Sequence, residues 1–217
     1  PIYEKDFFKL LKGLKNDKAL ETEESHDIIA YRAAKGSYRL GENKVSLAYA
    51  EQVSAKSDYH NEAMFLQSMN KFALNDKPGA LKKLQDLWTV VGKDGNSTLR
   101  ALTNLNLARM YFSQKKFDKA LEHYMQVPKD HPLWVEALIE QGWTQLAHDD
   151  FAGAIGNMYS LHSPYFKAVY QPESFVVRTI GYINICQYGD AYKSLNFIEK
   201  DYRDWYNKTS KYLENKS

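Results

Sequence analysis

The amino-acid sequence predicts an all-α protein built from a row of similar helix–turn–helix units. Three observations predict this class. Apolar residues recur at helical intervals of three and four along most of the chain, and no segment reads convincingly as a strand. Gly and Pro number only 11 and 6 of 217 residues, so long helices joined by short turns are favoured. Aromatic residues make up 14% of the chain, which supplies large side chains for packing helices on each other.

Composition excludes several functional classes. Lys and Arg total 29 against 27 Asp and Glu, and a net charge of +2 is too small for a dedicated nucleic-acid binder. The single cysteine excludes an internal disulfide and any multi-cysteine metal site. No apolar run approaches the roughly 18 residues of a membrane span, so direct membrane insertion is not expected. The chain begins at Pro1, and we expect a processed form or a piece of a longer protein.

The N-terminal segment, residues 1–28, is predicted to be an amphipathic helix followed by a linker. Residues 3–14 place five apolar side chains at helical spacing, namely Tyr3, Phe7, Leu10, Leu11 and Leu14. Residues 15–25 are polar and acidic and read as the linker. The predicted repeats occupy 29–208, and residues 209–217 end a C-terminal capping helix.

Residues 101–134 and 135–168 repeat each other at an offset of 34 residues. The matched pairs are Ala108 with Gly142, Phe117 with Phe151, Ala120 with Ala154, Tyr124 with Met158 and Val127 with Leu161. This pattern resembles the tetratricopeptide repeat (TPR), in which small residues stand where two antiparallel helices cross. Gln145 departs from the pattern, because the family has an aromatic residue there.

Weaker units flank this pair and extend the resemblance over residues 29–208. We expect small crossing residues at Gly36 and Ala48 in 29–60, at Ser68 and Ala80 in 61–100, and at Gly181 and Ser194 in 175–208. The unit 61–100 carries about six extra residues. The resemblance implies a right-handed TPR superhelical solenoid of about four to five repeats with terminal capping helices.

A second resemblance lies near the C-terminus. The runs Ser163–Phe166, Tyr170–Ser174 and Ile185–Ala191 are similar to a pattern in TPR proteins of gliding and predatory bacteria. Those proteins are exported and associated with the cell envelope. The resemblance implies a periplasmic or cell-envelope location, with the cytoplasm as the alternative.

No catalytic or metal-binding constellation is found in the sequence. None of the six histidines belongs to an HExxH motif or pairs with another at ligand spacing. His148, Asp149 and Asp150 fall in a predicted inter-helix turn, where polar residues are expected. Cys186 is predicted to pack inertly within a helix. We therefore predict a protein that is not an enzyme and binds neither a metal nor a cofactor.

The TPR resemblance implies a concave groove that holds a peptide or helix of a partner protein. Counting groove positions along the first helix of each repeat gives ten candidates: Phe65, Leu66, Met69, Leu105, Asn106, Arg109, Phe112, Glu136, Glu140 and Trp143. Glu136 and Glu140 stand where the chaperone-tail clamp of the family has cations, so an acidic tail is not the expected ligand. We expect an apolar groove that receives an amphipathic helix. The alternative is a self-associating structural module whose groove is filled by its own or a neighbour's terminal segment.

Overall fold

The computed structural model describes residues 23–92, 97–166, 169 and 171–214. Within these residues the chain forms ten α-helices and a short 3-10 helix, Pro164–Phe166, and contains no strand. The helices are α1 Glu23–Arg39, α2 Asn43–Ala50, α3 His60–Ala73, α4 Lys77–Val91, α5 Ser97–Ser113, α6 Phe117–Met125, α7 Trp134–Ala147, α8 Phe151–Leu161, α9 Pro172–Asn184 and α10 Tyr188–Glu214. The prediction of an all-α fold is confirmed.

The helices pair in chain order into five hairpins, α1–α2 through α9–α10. The chain divides into two compact units after Leu107, within α5. In the first unit α2 also packs against α3, so the first two hairpins are neighbours. In the second unit α6 packs against α7, and α8 packs against α9. This serial packing of hairpins is the arrangement that the repeats predict.

All five hairpin turns share one backbone geometry. In the third turn, the N–H of Lys116 donates to the carbonyl of Tyr111 at 3.0 Å, and that of Lys115 donates to Phe112 at 2.8 Å. These two bonds define a Schellman motif, which requires a left-handed residue just after the helix. Each turn supplies one such residue, with φ between 57° and 79°: Gly41, Asn75, Lys115, Asp149 and Cys186. Cys186 is therefore an exposed turn residue, and the prediction that it packs within a helix is wrong.

The turns fix the register of the small residues at the helix crossings. Seven positions before each left-handed residue stands a small buried residue or a glycine: Ala34, Ser68, Ala108, Gly142 and Thr179. Five positions after it stand Ser46, Ala80, Ala120, Ala154 and Ala191. The predictions for the second, third and fourth hairpins are confirmed. Those for Gly36, Ala48, Gly181 and Ser194 are wrong, because the register cannot be read from residue size alone in the outer hairpins.

Two of the second helices begin with the same cap. The Asp76 carboxylate accepts from the N–H of Gly79, and the Asp150 carboxylate accepts from Gly153, each at 2.9 Å. Such caps satisfy a backbone donor that the helix itself leaves unpaired. Gln145 donates to Asp150 at 2.8 Å, so the residue that departs from the TPR pattern braces this cap.

The termini differ from the predicted boundaries. Residues 23–28, the first of the described residues, lie in α1 and therefore belong to the first hairpin and not to a linker. At the other end, α10 runs without interruption to Glu214, so the predicted capping helix is the continuation of the last hairpin. The predicted apolar stripe in 3–14 lies outside the described residues.

A buried polar chain joins α8 to α9. The Arg178 guanidinium donates to His162 Nδ1 at 2.7 Å, and His162 Nε2 lies 2.7 Å from the Ser174 hydroxyl. That hydroxyl donates to the carbonyl of Gln171 at 2.6 Å, so Nε2 is the donor to Ser174 and the imidazole is neutral. Burial, reinforced by the neighbouring Arg178 charge, lowers the pKa of His162 to about 4.

Enlarging Gly142 is expected to destabilise the fourth hairpin. A Cβ at Gly142 would lie 2.8 Å from Met158 Cε and 3.0 Å from Val177 Cγ1. Gly142→Leu should therefore lower the free energy of unfolding by about 1–3 kcal/mol. The matched control is Gly156→Leu, since no atom lies within 4 Å of a Cβ there, and it should raise stability by about 0.5–1 kcal/mol. Stability is measured by urea titration followed by circular dichroism. Equal changes in the free energy of unfolding for the two variants would contradict the close helix crossing at Gly142.

Acidification is expected to destabilise the protein through His162. The folded pKa lies below the unfolded value of about 6.5, so the unfolded chain binds more protons between these values. Stability is then complete above pH 6.5 and falls as the pH falls toward 4. Denaturant titrations across this interval should show a shallower pH dependence for His162→Gln than for the parent. Parallel pH profiles would exclude this role of His162.

Candidate functional site

The first helices of the last three hairpins carry a connected set of polar and aromatic side chains in the second unit. We call this set the α5–α7–α9 ladder. Three of its members were predicted as groove residues on α7, one on α5, and one on α9 was not predicted. The members are Arg109, Glu136, Glu140, Trp143 and Glu173.

Arg109 connects α5 to α7. Its Nε donates to Glu140 Oε2 at 2.9 Å, and its Nη2 lies 2.5 Å from both Glu140 Oε1 and Glu136 Oε1. The arrangement with Glu140 is bidentate, which fixes the plane of the guanidinium. The hydrogen bond to Glu140 is the largest of the contributions that raise the pKa of Arg109, so the guanidinium stays charged.

Glu140 is the centre of this ion-pair cluster. Besides Arg109, it accepts a hydrogen bond from the Tyr124 hydroxyl of α6 at 3.0 Å. Burial, followed by the Glu140 charge, raises the pKa of Tyr124, so the phenol remains a donor. The Glu140 side chain is 26% exposed, whereas that of Glu136 is 49% exposed. Glu140 is thus held by the fold, and Glu136 faces solvent.

Trp143 continues the ladder from α7 to α9. Its indole Nε1 donates to Glu173 Oε1 at 2.6 Å, while its ring packs against the core cluster of Leu138, Met158 and Val177. The ring is therefore anchored on one side and half-buried. It presents an anchored aromatic edge beside the Glu173 carboxylate.

The ladder has a net negative charge, because it contains three carboxylates and one guanidinium. Arg109 and Asn106, which were predicted as groove residues, are both engaged within the protein. The guanidinium is already engaged by Glu136 and Glu140. The Asn106 amide donates to the Leu102 carbonyl of its own helix at 2.8 Å.

The remaining predicted groove residues divide by burial. Leu66 and Leu105 are 8% and 1% exposed, so both are core residues and the prediction that they line an open groove is wrong. Phe65 and Met69 are half-buried, with Phe65 packed against Met64, Leu87, Val91 and Leu99. Phe112 is exposed and lies 5.8 Å from the Phe117 ring.

A recurring exposed apolar residue marks the same face of the first helices. It lies three positions before the left-handed residue of a turn. In the first unit these residues are Tyr38 and Phe72, and in the second unit they include Phe112 and Ile183. Each unit therefore carries exposed apolar contact points on this face of its first helices.

Glu173 and Tyr124 are ladder contacts that sequence reasoning missed. Glu173 lies 13 positions before Cys186, as Glu136 lies 13 positions before Asp149. Aligning the hairpins on their turns would have found it, but the sequence register placed the last repeat at 175–208. Tyr124 was assigned to packing alone, and its hydroxyl contact depends on the position of α7.

The described residues hold no group of three or more His, Cys, Asp or Glu side chains arranged to bind a metal ion. His148 lies 3.1 Å from Asp118, Asp150 caps α8, and Asp149 forms the turn, so these three neighbours do not converge. Within the described ranges, each helix is too short or too polar to cross a membrane.

Comparison with known proteins agrees with this architecture. The tetratricopeptide repeat family model matches residues 103–133, which cover the end of the third hairpin's first helix and all of its second. No curated protein matches the sequence.

Solved structures show the same fold. The MamA protein superposes with a TM-score of 0.68 at 11% identity, over 82% of this chain and 92% of its own. The TPR-like repeats of a putative kinesin light chain from Podosopora anserina superpose with a TM-score of 0.63 at 15% identity, over 83% and 96%. At these identities the likeness defines the class, a TPR-like repeat fold.

Removing the charge of Glu140 is expected to destabilise the second unit more than removing that of Glu136. Glu140→Gln loses the bidentate pairing with Arg109 and weakens the bond from Tyr124, and should lower the free energy of unfolding by about 1–3 kcal/mol. Glu136→Gln should cost at most about 0.5–1 kcal/mol, since its ion pair is exposed. Urea titrations of both variants at neutral pH test this order, and a larger loss for Glu136→Gln would refute it.

Proposed function

We propose that this protein is a non-catalytic interaction scaffold that binds a basic, amphipathic segment of a partner protein on the α5–α7–α9 ladder. A location in the periplasm or cell envelope, implied by the C-terminal motif, belongs to the same proposal. The observation that carries it is a ladder with three carboxylates and one guanidinium, in which Arg109 pairs with Glu136 and Glu140 and the indole of Trp143 is hydrogen-bonded to Glu173.

The charge of the ladder selects the class of partner. Arg109 neutralises part of the negative charge of Glu136 and Glu140. Glu173 accepts a hydrogen bond from the indole N–H of Trp143, which does not neutralise its charge. The remaining negative charge favours Lys or Arg side chains and disfavours acidic ones. Glu136, with about half of its side chain exposed, is available to a ligand.

The apolar contribution comes from anchored side chains. Trp143 is held against the core and Phe112 against Phe117, so a partner orders few additional rotamers when it packs on them. Aromatic residues with fixed orientation dominate the free energy of many protein interfaces. A helix with apolar residues on one face and lysines along its border matches this combination.

Charge reversal at Glu136 is expected to abolish most of the binding. The probe is a fluorescein-labelled helical peptide of Leu and Lys, titrated with the full chain and followed by fluorescence anisotropy. Glu136→Lys should raise its Kd at least about tenfold, and salt should weaken binding to the parent. A matching Leu and Glu peptide should bind much more weakly to the parent.

The matched control is Glu122→Lys, which makes the same charge change at an exposed residue of α6. It should leave the affinity within about twofold of the parent, which corresponds to less than 0.5 kcal/mol. Equal losses of affinity for both variants would mean that the effect comes from the net charge of the protein and not from the ladder. Binding of the acidic peptide as tightly as the basic one would refute the proposed selectivity.

The chain's own N-terminal segment is the second candidate for the bound segment. Residues 1–20 contain five lysines and three acidic residues beside the apolar stripe, so their charge complements the ladder. In this version a neighbouring copy donates the segment, and the module self-associates. A synthetic peptide of residues 1–20 would then bind the ladder with the same sensitivity to Glu136→Lys.

Light scattering separates the two candidates. Self-association requires the mass of the full chain to rise with concentration, and requires a chain lacking residues 1–20 to remain monomeric. A full chain that is monomeric at every concentration, and that still binds the Leu and Lys peptide, favours a foreign partner.

A further inference from the structure

The last two hairpins enclose a cleft that is separate from the ladder. It lies between the end of α8, the middle of α9 and the first turns of α10, and has a volume of about 420 Å³. The side chains that matter for its chemistry are Tyr159, Phe175, Arg178, Lys193 and Phe197. A volume of this size accommodates a small organic ligand or one or two side chains of a peptide.

Arg178 is a buried cation in the wall of this cleft. The residue is 5% exposed, and its Nε donates to the Ser194 hydroxyl at 3.1 Å while Nη1 donates to His162. Both partners are neutral. Among the side chains that the structure describes, which do not include that of Asp201, no carboxylate lies within ion-pair distance of its guanidinium. A charge buried in this way is unfavourable unless an opposite charge accompanies it.

The rest of the wall orients the guanidinium without neutralising it. Its Cζ lies 4.8 Å from the centroid of the Tyr159 ring, 5.1 Å from that of Phe175 and 5.8 Å from that of Phe197. Aromatic faces attract a cation but carry no net charge. The hydrogen-bond chain through His162 and Ser174 fixes the opposite side, so the guanidinium is held in one position.

The charges at the mouth do not provide the missing partner. Asp190 also lines the cleft, but its carboxylate accepts from Lys193 at 2.9 Å, and both side chains are largely exposed. The charges of the described lining side chains therefore sum to +1, and the unpaired one is that of Arg178 at the buried end of the cleft. An anionic group would meet the guanidinium, and an apolar body attached to it would meet the aromatic rings.

We propose that this cleft binds a carboxylate attached to an aromatic or apolar body, with the carboxylate on Arg178 and the body between Phe175 and Phe197. Two sources share this chemistry, namely a small arylalkanoate and the C-terminal residue of a peptide. A carboxylate suits the site because arginine binds it in a fixed, planar geometry. The site is independent of the ladder, so failure here leaves the proposed partner binding intact.

Nuclear magnetic resonance of the arginine side chains tests the site on the full chain. The probes are 3-phenylpropanoate and its uncharged amide, with the Arg178 Nε–H signal identified by its loss in Arg178→Lys. The acid should shift this signal and bind at least tenfold more tightly than the amide. Equal affinity of acid and amide, or an unmoved signal with the acid at about 10 mM, would overturn the proposal.

A matched pair of variants on α10 distinguishes loss of binding from misfolding, because both residues are exposed. Phe197 and Leu195 are 47% and 49% exposed, but only Phe197 lines the cleft. Phe197→Glu should abolish binding of the acid because it places a carboxylate at the mouth, whereas Leu195→Glu should bind as the parent does. Equal behaviour of these two variants would also overturn the proposal.

The source of the carboxylate is decided by a second titration. An acetylated Gly-Gly-Phe peptide with a free C-terminus is compared with 3-phenylpropanoate and with the peptide's C-terminal amide. Tighter binding of the free peptide assigns the cleft to a protein terminus, and tighter binding of the free acid assigns it to a small molecule. Either result supports the carboxylate site, provided that the peptide amide binds weakly.

Discussion

The close crossing of the two helices in each hairpin is the constraint on which the rest of the structure depends. A Schellman turn ends the first helix, and a small side chain or glycine at each crossing brings the second helix near. Because the turn fixes the crossing, it also fixes which side chains of the first helix enter the core. Leu105 and Arg109 are one helical turn apart, yet only Leu105 is buried.

The same constraint produces the two candidate sites. On α5, α7 and α9 it leaves polar residues at equivalent positions near enough to bridge neighbouring helices. Arg109 and Trp143 each lie six positions before the left-handed residue of their turn, and they bridge to Glu136 and Glu173, which each lie thirteen positions before theirs. Between α8, α9 and α10 lies a cleft with Arg178 in its wall. The described side chains make one site acidic and the other basic, so their ligands are expected to differ in charge.

Departures from the repeat pattern have local physical explanations. Gln145 replaces an aromatic residue and braces the Asp150 cap, which Tyr111 in the preceding hairpin cannot do. The aromatic at that position instead stacks on His123 at 5.4 Å. In the last hairpin Thr179 replaces Ala or Gly at the crossing, and its hydroxyl donates to the Phe175 carbonyl of its own helix. Each replacement satisfies its own polar atoms, so the hairpin geometry persists.

The sequence by itself determined the all-α class, the hairpin spacing and the crossing residues Ala108, Gly142, Ala120 and Ala154, because periodicity and residue size are local properties. It also predicted four of the five ladder residues, since Arg109, Glu136, Glu140 and Trp143 fall at predictable positions of a helix. Only the tertiary structure decided that Arg109 is paired with the two glutamates, that Leu66 is buried, and that no carboxylate among the described side chains pairs with Arg178. Those facts depend on distances between helices far apart in sequence, which packing sets and residue order alone does not specify.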